Sequence, residues 1–119
     1  MKLEEFGVYT DAMKMSEEIW NIVMKWDYFA KDTIGKQLVR SADSVTANLS
    51  EGLGRYHYKE AKHFSYYLRG SLFETKTWIT KANSRNLITD EQYADLIKQI
   101  NNIGVRLNNY IKSIGKTKK

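Results

Sequence analysis

The feature that most constrains the fold is a helical repeat of apolar residues, which continues along most of the 119 residues without a proline. Apolar side chains that recur at steps of three and four lie on one side of an α-helix. Because proline breaks helix interiors and none is present, the helices can be long. The repeat predicts four helices, over residues 8–28, 34–56, 59–83 and 90–114, with a basic tail at 115–119.

The connections between these segments are short, so consecutive helices must run antiparallel. We therefore predict an all-α fold, an antiparallel up-down-up-down four-helix bundle, formed by one domain over residues 1–119. The apolar row of the first helix continues through Trp26 to Phe29, and residues 30–33 form the predicted connector. Thr89 and Gln92 have the spacing of a capping box at the start of the fourth helix, and Gly115 is a stop signal.

Residues 37–56 carry an apolar row on one side and small residues on the others. Asn48 and Glu51 lie one turn apart beside that row, and a buried amide or carboxylate requires hydrogen-bond partners. We predict that both are largely buried and bonded to other helices. We assign Glu74 of the third helix a similar structural role, in preference to a catalytic carboxylate pair formed by Glu51 and Glu74.

Known catalytic and metal motifs are missing from the sequence. It has no cysteine, and a di-iron bundle would need two Glu-x-x-His motifs, whereas only Glu60-Ala-Lys-His63 is present. No phosphate-binding glycine loop or Ser-His-Asp pattern occurs. We therefore predict no catalytic residue, no metal and no cofactor, and a protein that is not an enzyme.

The N-terminus lacks the apolar segment of a signal peptide, and no apolar run approaches the length of a membrane span. The expected location is the cytoplasm, with no membrane partner.

The net charge is +5, and the excess of basic residues lies after the first helix. On the third helix, cations alternate with aromatic residues at steps of three and four, about 200° from the inner row. Cations on phosphates and rings on unpaired bases are typical of single-stranded nucleic-acid binding. Two alternatives stay open: a solvated face whose rings are covered by another subunit, and a face that meets an acidic protein. The candidate binding residues are Lys36, Arg40, Arg55, Lys59, Lys62, Tyr66, Arg69, Phe73 and Lys76.

A second surface feature is apolar and exceeds what one bundle core needs. Exposed apolar patches of this kind usually mark protein interfaces, so we predict self-association. The predicted interface combines large residues of the first helix with small residues of the second, and consists of Met13, Trp20, Met24, Ala47, Ser50 and Gly54.

Several segments resemble the 23S rRNA-intervening sequence protein family of bacterial four-helix bundle proteins. They are Gln37-Leu-Val-Arg40-Ser-Ala42, Ser44-Val-Thr-Ala-Asn48-Leu-Ser-Glu51-Gly52, Lys59-Glu60, Phe64, Gly70-Ser71-Leu72 and Glu74. The chain departs from the family at Ala30 and Thr46, where members often have proline; both changes favour continuous helix.

The resemblance implies an antiparallel bundle that assembles into a five-fold ring, a homopentamer. Relatives include proteins encoded within ribosomal RNA intervening sequences. They also include the accessory protein of diversity-generating retroelements, a basic ring that binds nucleic acid and a reverse transcriptase. The residues and the resemblance together predict a non-enzymatic oligomer that binds RNA or other nucleic acid. The alternative is a protein-interaction scaffold whose basic face meets an acidic partner.

Overall fold

Four long helices form the bundle in a computed structural model, which describes residues 7–53 and 58–117 and the side chains of 7–52, 63 and 66–112. No strand occurs within these ranges, and the all-α prediction is confirmed. The elements in chain order are α1 (Gly7–Val23), the short α2 (Tyr28–Ala30), a π-helical segment (Lys31–Gly35), α3 (Lys36–Leu53), α4 (Tyr58–Ser84) and α5 (Asp90–Thr117).

The four long helices pack in a square in which α1 and α4 each contact both α3 and α5. Each long helix contributes one buried apolar row, spaced by three and four residues, to a single core. This is the packing that the periodicity predicts. Representative core residues are Ala12, Met15 and Ile19 of α1, Leu38, Val45 and Leu49 of α3, Leu72 and Ile79 of α4, and Leu96, Ile100 and Ile103 of α5.

The first helix ends at Val23, five residues before the predicted end, and residues 24–27 form the connector. The Asp27 carboxylate accepts a hydrogen bond from the Ala30 amide at 2.9 Å, so it caps a new helix that begins at Tyr28. The predicted connector at 30–33 is therefore wrong, because these residues already belong to the helical run that leads into α3.

Trp26 and Phe29 show what this early end does to the predicted apolar row. Trp26 lies in the connector but is buried, and its indole Nε1 donates to the Leu87 carbonyl at 3.0 Å. Phe29 is 77% exposed, so its predicted place in the row is wrong. A helix that begins again after a connector is rotated relative to the core, so the spacing of the apolar row in α1 does not continue into α2.

The π-helical segment brings the start of α3 against the end of α1. The Lys36 amide donates to the Lys31 carbonyl, the bond of a widened turn. Gly35 is buried there, and a Cβ on it would lie 2.8 Å from Val23 Cγ1 and 3.1 Å from the Ala30 carbonyl oxygen. The close approach therefore requires glycine at this position.

The turn from α4 to α5 uses local signals. Asn86 has φ of 60°, and the Leu87 amide donates to the Ala82 carbonyl at 2.9 Å, which is a Schellman helix end. Thr89 and Gln92 exchange bonds of 2.9 and 3.0 Å, so the predicted capping box is confirmed. The helix continues past Gly115 to Thr117, and the predicted stop there is wrong.

Hydroxyl groups, rather than carboxylates, join α3 to α4. Thr75 is fully buried with its Oγ1 3.0 Å from Ser41 Oγ, and Ser44 Oγ lies 2.9 Å from Ser71 Oγ. Asn48 is only half-buried, and its Nδ2 donates to Ser44 Oγ of its own helix at 2.9 Å. Asn48 therefore reaches α4 only through Ser44, and the predicted direct bond to another helix is wrong.

Glu51 and Glu74 are both exposed in the described chain, so their predicted place in a polar core is wrong. Glu74 accepts a bond from the Trp78 indole Nε1 at 3.1 Å within the same helix. Serine and threonine hydroxyls make the side-chain bonds described between α3 and α4, and both glutamates lie on the outer surface.

Candidate nucleic-acid interface

The most distinctive surface feature is a groove of about 380 Å³ between α4 and α5. Arg69, Phe73 and Lys76, three of the predicted binding residues, form its α4 side. Apolar groups form much of its lining, and the two cations stand seven residues apart along α4, about 10 Å by helix rise. The groove therefore has an apolar interior with a positive charge near each end.

The floor and the second wall come mainly from α5. Gly104 and Ile100 lie opposite Leu72 of α4, while Asn101, Val105 and Asn108 form the outer rim. Sequence periodicity did not identify this wall. Two features of the sequence could have indicated it: Val105 lies off the apolar row of α5, and Gly104 lies in the middle of a helix. In the structure Val105 is 60% exposed.

Arg69 is held across one end of the groove. Its Nη2 donates to Asn108 Oδ1 of α5 at 2.5 Å, and the side chain is half-buried as a result. A guanidinium carries five N–H donors, so this bond orients the group and leaves donors for an anion. Lys76 is also half-buried, with its stem along the groove.

Aromatic surface accompanies the cations, as the sequence predicts. Phe73 is 69% exposed beside the groove, and Tyr66, two turns earlier on α4, is 58% exposed. Rings this exposed are available to stack on a ligand.

The predicted basic residues do not form one surface. Lys36 and Arg40 are exposed on α3 and are not part of the groove lining. Lys36 Nζ is 2.7 Å from Asp32 Oδ1, and this bond, with the attraction between the charges, raises the pKa of Lys36. Arg55 and the side chains of Lys59 and Lys62 lie outside the described residues.

Those predicted self-association residues that the structure describes lie on α1 and α3, the side of the bundle opposite the groove. On α1, Met13, Trp20 and Met24 are 40%, 48% and 51% exposed. On α3, Ala47 is exposed and Ser50 is half-buried. By helical periodicity, both sets of residues lie on the outer surface of the α1–α3 pair. We call this surface the α1–α3 face. Gly54 lies outside the described residues.

Asp43 of α3 lies beside Glu17 of α1 on the α1–α3 face. Although its side chain is largely exposed, partial burial, and then the nearby Glu17 charge, raise the pKa of Asp43. A raised pKa in the folded chain means that ionisation of Asp43 opposes folding.

We expect Asp43→Asn to melt at a higher temperature than the parent at pH 7, where Asp43 is ionised. The parent should lose this part of its stability as pH rises through the unfolded and then the folded pKa of Asp43, and the variant should not. At about pH 3, below the unfolded value, the difference should vanish. Thermal melts across this range would test it. Glu17→Gln should act in the same direction, and a destabilised Asp43→Asn at pH 7 would contradict the interpretation.

Two kinds of feature are absent from the described residues. No group of three or more histidine or acidic side chains is placed to hold a metal ion there. No helix in that part of the chain has the length and hydropathy to cross a membrane.

Comparisons with known proteins agree with the fold. The family model described as 23S rRNA-intervening sequence protein matches residues 4–109. A crystal structure of a protein of unknown function from the S23 ribosomal protein family of Bacteroides thetaiotaomicron VPI-5482 superposes with a TM-score of 0.78. It is 22% identical and covers 88% of this chain and 95% of its own, which shows a shared fold. No functionally curated protein matches.

Proposed function

Because the chain belongs to the 23S rRNA-intervening sequence protein family, we propose that it is a non-enzymatic protein that binds RNA or other nucleic acid. The observation that carries the proposal is the α4–α5 groove, where Arg69 and Lys76 flank an exposed Phe73. The family description names ribosomal RNA, which makes RNA the first ligand to test.

The groove offers two kinds of contact. Arg69 and Lys76 would neutralise phosphates, which gives affinity without sequence selection. Phe73 and Tyr66 would stack on unpaired bases, because every base has an aromatic face. Lys36 and Arg40 would play at most a secondary part, since they lie on another face and Lys36 is already paired with Asp32.

We also propose that the chain forms a homo-oligomer through the α1–α3 face, five-fold by the family resemblance. Trp20, Met24 and Met13 present apolar surface there, and the groove lies on the other side of the bundle. Each copy would keep its groove free. Several identical grooves on one assembly would bind a long strand with avidity.

The alternative function is a scaffold whose basic face meets an acidic protein. The apolar floor of the groove, formed by Leu72 and Ile100, favours this alternative because it could accept the apolar side of a helix. The two functions differ in which affinity should fall when the groove cations are removed: the affinity for RNA or the affinity for an acidic protein.

Neutralising the groove cations should weaken RNA binding. We expect Arg69→Gln with Lys76→Gln to lower affinity for mixed single-stranded RNA by about 10-fold or more. Each lost phosphate contact should reduce the slope of log affinity against log salt by about 0.7. Fluorescence anisotropy at several salt concentrations measures both quantities.

The matched control is Lys14→Gln with Lys98→Gln, which removes the same charge from exposed positions on α1 and α5. It should change affinity much less. Equal losses from both pairs would mean that net charge, and not the groove, drives binding. The scaffold function would be favoured if the parent bound no RNA and the Arg69→Gln, Lys76→Gln variant lost an acidic protein ligand that the parent binds.

A further inference from the structure

We infer that the α4–α5 groove is a nucleobase site, which takes one unpaired base of a single strand over Gly104 while Arg69 and Lys76 hold the flanking phosphates. This rests on the proposed nucleic-acid function and adds to it. Phosphate contacts alone need only surface cations. A nucleobase site predicts in addition that each chain binds a strand with bases more tightly than an abasic strand.

Gly104 is the first observation that supports a bound group in the groove. A glycine inside a helix costs about 1 kcal/mol relative to alanine. Packing within the chain does not require it, because a Cβ would lie 3.7 Å from Leu72 Cδ2, an ordinary contact. Gly35 differs, since its Cβ would collide with Val23. The remaining effect of Gly104 is to keep the groove floor open for close approach of another group.

The charges and shape of the groove select the class of that group. Its volume of about 380 Å³ lies within the range of about 300–1,000 Å³ for small-ligand sites. A neutral apolar ligand would leave Arg69 and Lys76 unmatched, whereas a nucleotide places anionic phosphates on either side of a flat ring. The exposed ring of Phe73 supplies a stacking surface, and Asn101 supplies an amide for the edge of the base.

An unpaired base fits this site and a paired base does not. The bases of a duplex are stacked on each other, and only unpaired bases can be splayed onto side chains. The Arg69–Asn108 bond of 2.5 Å already positions the guanidinium at the groove end, so little side-chain ordering remains on binding. The groove should therefore bind a base of a single strand in preference to a base of a duplex.

The test fills the groove without changing its charges. Gly104→Met places a flexible side chain over the floor and should raise helix stability. Gly70→Met is the matched control, because a Cβ at Gly70 of α4 meets nothing within 4 Å and the residue is not part of the groove lining. The probes are a short single-stranded oligoadenylate and a strand with the same phosphates but abasic sugars, compared by fluorescence anisotropy.

We expect the parent and Gly70→Met to bind oligoadenylate about 10-fold more tightly than the abasic strand, as one stacked base would give. Gly104→Met should lose most of this preference, and stacking on Tyr66, which lies outside the groove lining, accounts for the small part that remains. If the parent binds both strands equally, or if Gly104→Met keeps the preference, the nucleobase site is wrong and phosphate binding still stands. If the parent binds neither strand, the proposed function itself fails. Thermal melts of both variants establish that the fold is retained.

Discussion

We expect Trp26→Ala to lower the free energy of unfolding by about 3–5 kcal/mol, the cost of truncating a buried aromatic residue to alanine. Trp26 is 9% exposed and lies in the connector between α1 and α2. Its indole also donates to the Leu87 carbonyl at 3.0 Å, which ties this connector to the turn between α4 and α5. The substitution removes the core contact and this tie together. Urea denaturation followed by circular dichroism would measure the loss.

Phe29→Ala is the matched control, because helical periodicity assigns Phe29 and Trp26 to one apolar row. Phe29 is 77% exposed, so its truncation should change stability by about 0.5 kcal/mol or less. Trp26→Phe should fall between the two, since it keeps a ring and loses the donor. Similar losses for Trp26→Ala and Phe29→Ala would mean that the apolar row continues as the sequence alone suggests.

The features that the sequence predicted well are local. A buried row at steps of three and four identifies each long helix, and the capping box of Thr89 and Gln92 involves residues three apart. The end of α1 is only partly local. The Asp27 cap joins residues three apart, as the capping box does, but the close approach of Gly35 to Val23 forms only when two helices meet.

The two sides of the groove differ in the same way, since one follows from local spacing and the other from the packing of two helices. Its α4 side, with Arg69, Phe73 and Lys76, follows from one helix and was predicted from spacing. Its α5 side depends on the register that pairs Arg69 with Asn108, which spacing within a helix does not determine. The polar contacts between α3 and α4 show the same limit. Spacing indicated a polar flank near Asn48, but hydroxyls such as Thr75 and Ser41 make the contact and Glu51 is exposed.

The proposed assembly gives the second large effect. We expect Trp20→Glu with Met24→Glu to convert the oligomer into a monomer of 13.9 kDa. These side chains are 48% and 51% exposed on one chain, and truncating a buried interface tryptophan often costs about 2 kcal/mol or more. Placing carboxylates there adds the cost of burying charges near Glu17 and Asp43, which are already close enough for the Glu17 charge to raise the pKa of Asp43. Light scattering after size-exclusion chromatography measures the mass.

The control for this variant is Phe73→Glu with Val105→Glu, which makes the same charge change at residues 69% and 60% exposed on the groove side. This control should keep the parent mass, because in the proposed assembly the grooves face away from the contacts. A parent that is already monomeric at tens of micromolar would contradict the assembly. The monomeric variant should also retain base discrimination for a short strand, since each groove is complete within one chain. It should lose affinity chiefly for long strands, which bind several grooves at once.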